Sequence, residues 1–340
     1  MPFRDLIGQH HARLVLKRAL ESRKVSHAYL FVGPVGVGRL AAARAFAQAL
    51  LCTAGGSDAC GVCGPCRKVV SGTHPDLRII APGRTETGAE RRAVAIDQVR
   101  DLKREAAYPP YEGPWKIFII EDTEQMRAEA ANSLLKVLEE PPASIVIILL
   151  SESTEALLPT LVSRAQVVRF TLVSAKEIAD ALAARAGVPA ERARFLAAMA
   201  GGRVGAALEA ARAGEDAFAR RQDVLRTLDA VEGGDVIAGL DAAEAVAKQK
   251  DEIERWLDIA LLWYRDLAVW QVVGDPALLT NLDQRGKVVE RARRARPEDL
   301  TRTMDAIEQA KAALRRNINP RLVLETLFTQ MGAAAGHPAA

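Results

Sequence analysis

The chain has 340 residues, of which 49% are apolar, 26% charged and only 5% aromatic, with a formal net charge of +3. Its length predicts two or three domains, and the abundant Ala with few aromatics suits packed helices better than a β-sandwich. No apolar run is long enough for a membrane span, MPFRDLIGQHHARL lacks a signal-peptide core, and the weak positive charge permits nucleic-acid contact without arguing for it, so a cytoplasmic protein is expected.

In chain order, residues 10–22 read as an amphipathic helix through Leu14, Leu16, Ala19 and Leu20. Tyr29-Leu30-Phe31-Val32 is a short buried strand that runs into GPVGVGRL at 33–40, and the Ala-rich stretch 40–51 reads as the next helix. Strand, glycine loop and helix in this order are the setting of a phosphate loop. Residues 76–80 predict a second strand, 82–92 a polar loop and 96–107 a helix with Ile96, Val99 and Leu102 in period, while the prolines of 108–114 oppose helix. Ile117–Ile120 is an apolar strand ending in Glu121-Asp122, 129–140 is a helix stopped by Pro141-Pro142, and 145–150 and 167–170 are further strands. Strands apolar on both faces, alternating with helices, predict a parallel sheet covered on two sides. From Lys176 onward the pattern is helical, broken at Gly187, Gly201-Gly202, Gly214, Gly233-Gly234 and Gly274-Asp275-Pro276, with boundaries near 172 and 215–235 and a disordered tail.

A working phosphate loop reads G-x-x-x-x-G-K-[ST]: its glycines let backbone N–H groups cradle phosphate, its Lys reaches the terminal phosphates and its hydroxyl binds Mg²⁺. Here Gly33, Gly36 and Gly38 are present, but Arg39 stands for the Lys and Leu40 for the hydroxyl. A planar guanidinium does not replace a compact ammonium, and Leu40 cannot bind a metal. With Glu121 and Asp122, in reversed order, at the end of a strand, the residues predict a degenerate nucleotide site with its own hydrolysis lost or weak.

Cys52, Cys60, Cys63 and Cys66 are the whole cysteine complement and have the spacing C-x₇-C-x₂-C-x₂-C. Four thiolates on short turns suit structural zinc, with free cysteines or an iron–sulfur cluster as the alternatives. The histidines have no metal spacing. Arg91-Arg92 and the RARRAR run at 291–296 read as solvated faces, with DNA-backbone contact the lesser alternative. No set of carboxylates beyond Glu121-Asp122 could hold two metals for nucleotidyl transfer.

The string KIFIIEDTEQMRAEAANSLLKVLEEPP at 116–142 resembles the bacterial clamp-loader ATPases of DNA polymerase III. So do Ser26–Phe31, the four-cysteine insert, Ser163-Arg164 and the segment Asn317–Glu325. The resemblance implies an α/β AAA+ P-loop domain with a parallel sheet over 1–172, carrying a Cys₄ zinc insert at 52–66. A small helical lid at 173–215, an all-α collar at 216–332 and a disordered tail at 333–340 would follow. Motor subunits keep the loop Lys and Thr, so Arg39 and Leu40 imply a non-motor, stator-like member. Ser163-Arg164-Ala165 replaces the family's Ser-Arg-Cys, and a second-domain sensing Arg falls on Gly205, near Arg203.

The resemblance implies that Arg164 is an arginine finger completing a neighbouring gamma/tau ATP site in trans, worth roughly 10³–10⁵ in rate. It further implies gamma/tau and delta subunits as partners, with the sliding clamp and primer-template DNA reached through the complex. ATP binding by this chain itself is doubtful, and any polymerase label would belong to the holoenzyme. The alternative is an active AAA+ motor subunit that tolerates Arg39, and it would need tight MgATP binding by the isolated chain.

Overall fold

A computed structural model describes residues 2–82, 96–213, 216–233, 236–249, 252–316 and 318–335. The polar loop expected at 82–92, Arg91-Arg92 included, lies outside these residues apart from Pro82.

Five strands form one sheet in the order β2-β3-β4-β1-β5. They are β1 (Ala28–Val32), β2 (Leu77–Ile80), β3 (Lys116–Ile120), β4 (Ile145–Ser151) and β5 (Gln166–Arg169), and every pairing is parallel. The central strands are buried on both faces because alternate residues enter different cores. Tyr29, Phe31, Ile117, Ile119, Val146 and Ile148 face one layer with Phe46, Leu16 and Phe3. Ala28, Leu30, Phe118, Ile120, Ile147 and Leu149 face the other with Val99, Leu102, Leu134 and Leu138.

The first layer is built by α1 (His10–Glu21) and α2 (Arg39–Leu50), the second by α4 (Ile96–Ala106) and α5 (Ala128–Glu139). Between α2 and β2 lies α3 (Gly64–Ser71), and after β4 comes the short α6 (Pro159–Val162). Each strand must cross back through a helix to run parallel, so the carboxyl ends of all five share one edge of the sheet. Gly33, Glu121 and Phe170 follow β1, β3 and β5 directly, which gathers the chemistry there. In open α/β sheets this is the edge where ligands bind.

Residues 1–177 and 202–205 form one compact unit, and 178–201 and 206–340 the other. Helices α7 (Ala175–Ala186), α8 (Ala190–Met199), α9 (Val204–Arg212), α10 (Asp216–Glu232), α11 (Val236–Ala247), α12 (Ile253–Val273), α13 (Arg285–Arg294), α14 (Pro297–Arg315) and α15 (Pro320–Ala335) make up the rest. No strand follows β5 among the described residues.

Two expectations are corrected in the second unit. A disordered tail is expected from 333, but α15 continues to Ala335: Met331 anchors its turn in the core, and the alanines at 333–335 are strong helix formers that outlast Gly332. RARRAR is not a uniformly solvated face: Arg291 is largely buried, paired with Asp229 at 2.7 Å and Glu232 at 3.0 Å, whereas Arg294 stays exposed. The core of this unit also encloses Arg221. Its guanidinium is fully buried, forks onto Asp283, reaches Asn281 Oδ1 at 3.3 Å and lies over the Phe195 ring.

Candidate functional site

The glycine loop hangs between β1 and α2, and three contacts fix it. Gly33 donates its N–H to Ser151 O at 3.2 Å, and a Cβ added there would lie 2.3 Å from Phe170 O, so only glycine passes between β1 and the exit of β5. Gly36 and Gly38 have φ of 80° and 103°, the left-handed conformation that glycine adopts without a Cβ penalty. The third contact is Gln9, which is buried: its Nε2 donates to Val37 O at 3.1 Å and Thr171 O at 2.6 Å, and its Oε1 accepts from Thr171 N at 3.2 Å. This clasp was missed in the sequence because a single Gln has no spacing to reveal it.

Arg39 opens α2 and is buried, with its Nη1 lacking a hydrogen-bond partner among the described residues. Nearby, Glu121 directly follows β3. Burial raises its carboxyl above the usual range and Asp122 pushes the same way, against the pull of Arg44 and Arg39. Asp122 takes a left-handed φ of 47° as the chain turns out of the strand. The structure therefore gathers the glycines, Arg39 and Glu121 at one sheet edge. Gly205, where a sensing Arg would fall, donates its backbone N–H to Gly36 O at 2.8 Å. Arg203 lays its stem against Gly36, where an added Cβ would lie 3.2 Å from Arg203 Cβ.

Arg164 follows α6 and is partnered away from the loop. Its Nη2 meets Glu139 Oε1 at 2.8 Å, and its Nη1 donates to Thr160 O at 3.1 Å. Glu139 is the last residue of α5, just before the turn at Pro141-Pro142, so the motif helix itself positions the guanidinium.

The four cysteines converge at the start of α3. All four Sγ atoms lie within 4.8 Å of one another, with Cys52–Cys63 and Cys60–Cys66 each at 3.9 Å. A tetrahedral metal with bonds of about 2.3 Å to sulfur needs edges of about 3.8 Å, so the residues fit a four-thiolate metal. Backbone N–H groups also point to sulfur, Cys60 N to Cys52 Sγ at 3.4 Å and Cys63 N to Cys60 Sγ at 3.3 Å. Burial pushes the Cys63 thiol up, but N–H donors from Cys66 and Thr53 and the Thr53 hydroxyl outweigh it and bring it down to about 6. Burial wins at Cys66 and pushes that thiol up. Helix α3 is tied to the body through Lys68, whose Nζ meets Glu112 at 2.7 Å and 2.8 Å.

An all-parallel sheet with a glycine loop at its carboxyl edge, followed by a helical unit, defines a P-loop-type α/β protein whose loop lacks the metal-binding hydroxyl. Residues 8–174 match the family described as DNA polymerase III, delta subunit, and 215–332 match its C-terminal part. The chain is 32% identical over 319 residues to DNA polymerase III subunit delta' of Bacillus subtilis, spanning 93% of this chain and 94% of that protein. It is 38% identical over 179 residues to the delta' subunit of Pseudomonas aeruginosa, spanning 52% of this chain and 53% of that one. Against the gamma/tau subunit of Mycobacterium tuberculosis H37Rv it is 27% identical over 355 residues, spanning 97% of this chain and 60% of that protein. The chain belongs to the DNA polymerase III delta-subunit family, on the delta' side of it. No helix among the described residues is long and apolar enough to cross a membrane.

Proposed function

We propose that this chain is the non-motor, stator-like subunit of a replicative clamp loader, acting in the cytoplasm to help place the sliding clamp on primed DNA. The observation that carries this reading is a loop with glycine geometry intact and catalytic equipment gone: Leu40 occupies the first turn of α2 where a hydroxyl would hold Mg²⁺. Arg39, Glu121 and Asp122 then belong to a descended nucleotide site that hydrolyses nothing. The likeness to delta' proteins along nearly the whole chain supports the same role.

In this reading Arg164 acts on ATP bound by a neighbouring gamma/tau subunit, and the delta subunit completes the assembly. A guanidinium offers a fork of N–H donors to a transferring phosphoryl group and stabilises the charge that develops on it. Its present partner Glu139 is half-exposed, and such a pair is worth about 0–1 kcal/mol, so exchange for a phosphate costs little. Cys52, Cys60, Cys63 and Cys66 take structural zinc, because four thiolates close the coordination sphere. A lid over 173–215 and a collar over 216–332 subdivide the helical half.

The test is the DNA- and clamp-stimulated ATPase of a loader reconstituted with wild-type chain or Arg164→Ala. A fall of about tenfold or more with assembly intact supports the trans role. An unchanged rate removes it and leaves a scaffold.

A further inference from the structure

The amino-terminal segment is fastened to the four-cysteine insert. Asp58, two residues before Cys60, accepts from three backbone N–H groups. Its Oδ1 takes Phe3 N at 2.7 Å and Ala59 N at 2.8 Å, and its Oδ2 takes Arg4 N at 3.2 Å. Phe3–Asp5 is a single 3₁₀ turn, so this carboxylate caps donors that the turn itself leaves free. Arg4 bonds in the other direction, donating from Nη2 to Cys60 O at 3.3 Å. The Phe3 side chain is fully buried, its ring 6.4 Å from that of Phe46.

The far end of the same segment is fastened to the glycine loop. Leu6 is buried, and Gly8 has a φ of 64° with no room for a side chain: a Cβ there would lie 2.8 Å from both γ-carbons of Val173. Gln9 follows, also left-handed with a φ of 55°, and closes on Val37 O and on Thr171. A left-handed non-glycine residue persists only where its surroundings hold it, and terminal segments fray unless tied down. Residues 3–9 are therefore a strap, with one end on the insert and the other across the glycine loop and the exit of β5.

The hold at the insert depends on the cysteines. Residues 53–59 join Cys52 to Cys60 through Gly55 and Gly56, both left-handed, with no described atom within 4 Å of where a Cβ would sit. Packing secures only the end of this stretch, at Ala59, and Cys60 N reaches Cys52 Sγ at 3.4 Å. A metal bonded to both sulfurs closes the stretch into a loop and limits the positions Asp58 can take.

We propose that metal binding at the four cysteines fastens the amino-terminal strap through Asp58, and through the strap steadies the glycine loop at Gln9. This link rests on the reading of the cysteines as a metal site and not on the trans role of Arg164. Asp58 is a positioning residue, since four thiolates leave it no place on the metal. Coupling of this kind is reciprocal: the strap tightens metal binding by the factor by which the metal stabilises the strap. The insert then sets the shape of the carboxyl edge of the sheet as well as its own fold.

The test is hydrogen exchange read by mass spectrometry on the full-length chain, for wild type and Asp58→Ala. Each is measured zinc-loaded and after zinc is stripped by a chelator under reducing conditions, with metal content determined in every sample. In wild type, stripping should lower protection at least tenfold in peptides covering 3–9 and at least threefold in those covering 168–173, with β3 and β4 within threefold. Zinc-loaded Asp58→Ala should already have lost that protection, and stripping should change it less than twofold further. Zinc affinity of Asp58→Ala, read by competition with a chromophoric chelator, should fall by about the same factor as its strap protection. Unchanged strap protection in stripped wild type, or an equal loss on stripping in both chains, would overturn the proposal. If stripping opens β3 and β4 as well, the zinc-loaded variant decides: loss confined to 3–9 and 168–173 supports the link, and retained protection overturns it. A chain that takes up no metal sinks the metal reading and the link together, whereas a zinc-loaded chain with an indifferent strap sinks the link alone.

Discussion

Replacing Gln9 by Met keeps the volume of the side chain and removes its polar atoms. The contact with Val37 O is buried, so its loss leaves a carbonyl without a donor, at about 1–3 kcal/mol. The two contacts with Thr171 are partly open to water, and each loss costs about 0.5–1 kcal/mol. The sum is about 2–5 kcal/mol, localised where the glycine loop meets the exit of β5. Hydrogen exchange read by mass spectrometry on peptides covering β1 and β5 resolves this unit from the helical one. At 1.4 kcal/mol per decade, protection there should fall about 30- to 4,000-fold while α12 and α14 keep theirs. Gln9→Glu should cost more at neutral pH, because a carboxylate has no proton to give and sets its charge against two carbonyl oxygens. Protection in Gln9→Met within threefold of wild type would refute the view that this side chain clasps the loop.

Other outcomes follow from the same contacts. Metal analysis of the purified chain should find one zinc per molecule, and Cys66→Ser should abolish it with loss of protection in α3; a fully folded metal-free protein would sink the four-thiolate assignment. Asp283→Asn removes the carboxylate charge that the buried Arg221 forks onto and should cost about 3–5 kcal/mol in urea unfolding of the helical unit, whereas Arg221→Met with Asp283→Leu should recover most of it. Asp76 is buried and accepts from the N–H groups of Tyr111, Glu112 and Gly113 at 2.5, 2.9 and 2.8 Å. Burial pushes its carboxyl up, but these donors outweigh it and the acid ends below its usual range. Its folded value thus lies under the unfolded one. The stabilisation is fully present above the ordinary aspartate value near 3.9 and is lost as pH falls through the depressed one. Acid unfolding of Asp76→Asn should show a shallower slope below about pH 4 than wild type.

The sheet was legible because its strands are short apolar runs interrupted by glycine and proline, a pattern with few other solutions. β1 and β3 are uniformly buried, as expected of strands covered on both faces. The cysteines were legible from spacing alone, since x₂ turns bring sulfurs together over a short chain. The polar groups that fix the core were not. Gln9 and Arg221 act through partners 162 and about 60 residues away, and nothing local to either marks it as buried. Arg291 shows the same limit: a basic run on a helix reads as solvated until the fold supplies Asp229 and Glu232. Arg203 was visible beside the expected sensing position, but only the left-handed backbone of Gly36 reveals that its stem finds room against the loop.

The close approach of Gly33 to Phe170 O separates two reasons for a glycine to persist. At 33 the exclusion is internal: any side chain collides with the backbone leaving β5, whether or not a ligand ever arrives. Gly38 is different, with open space around its absent Cβ and only its φ of 103° to demand glycine. A drifting sequence could therefore lose every trace of ligand recognition and still retain Gly33. The first glycine of such a loop is a record of how the strands were assembled, and only the later positions record what the loop once held.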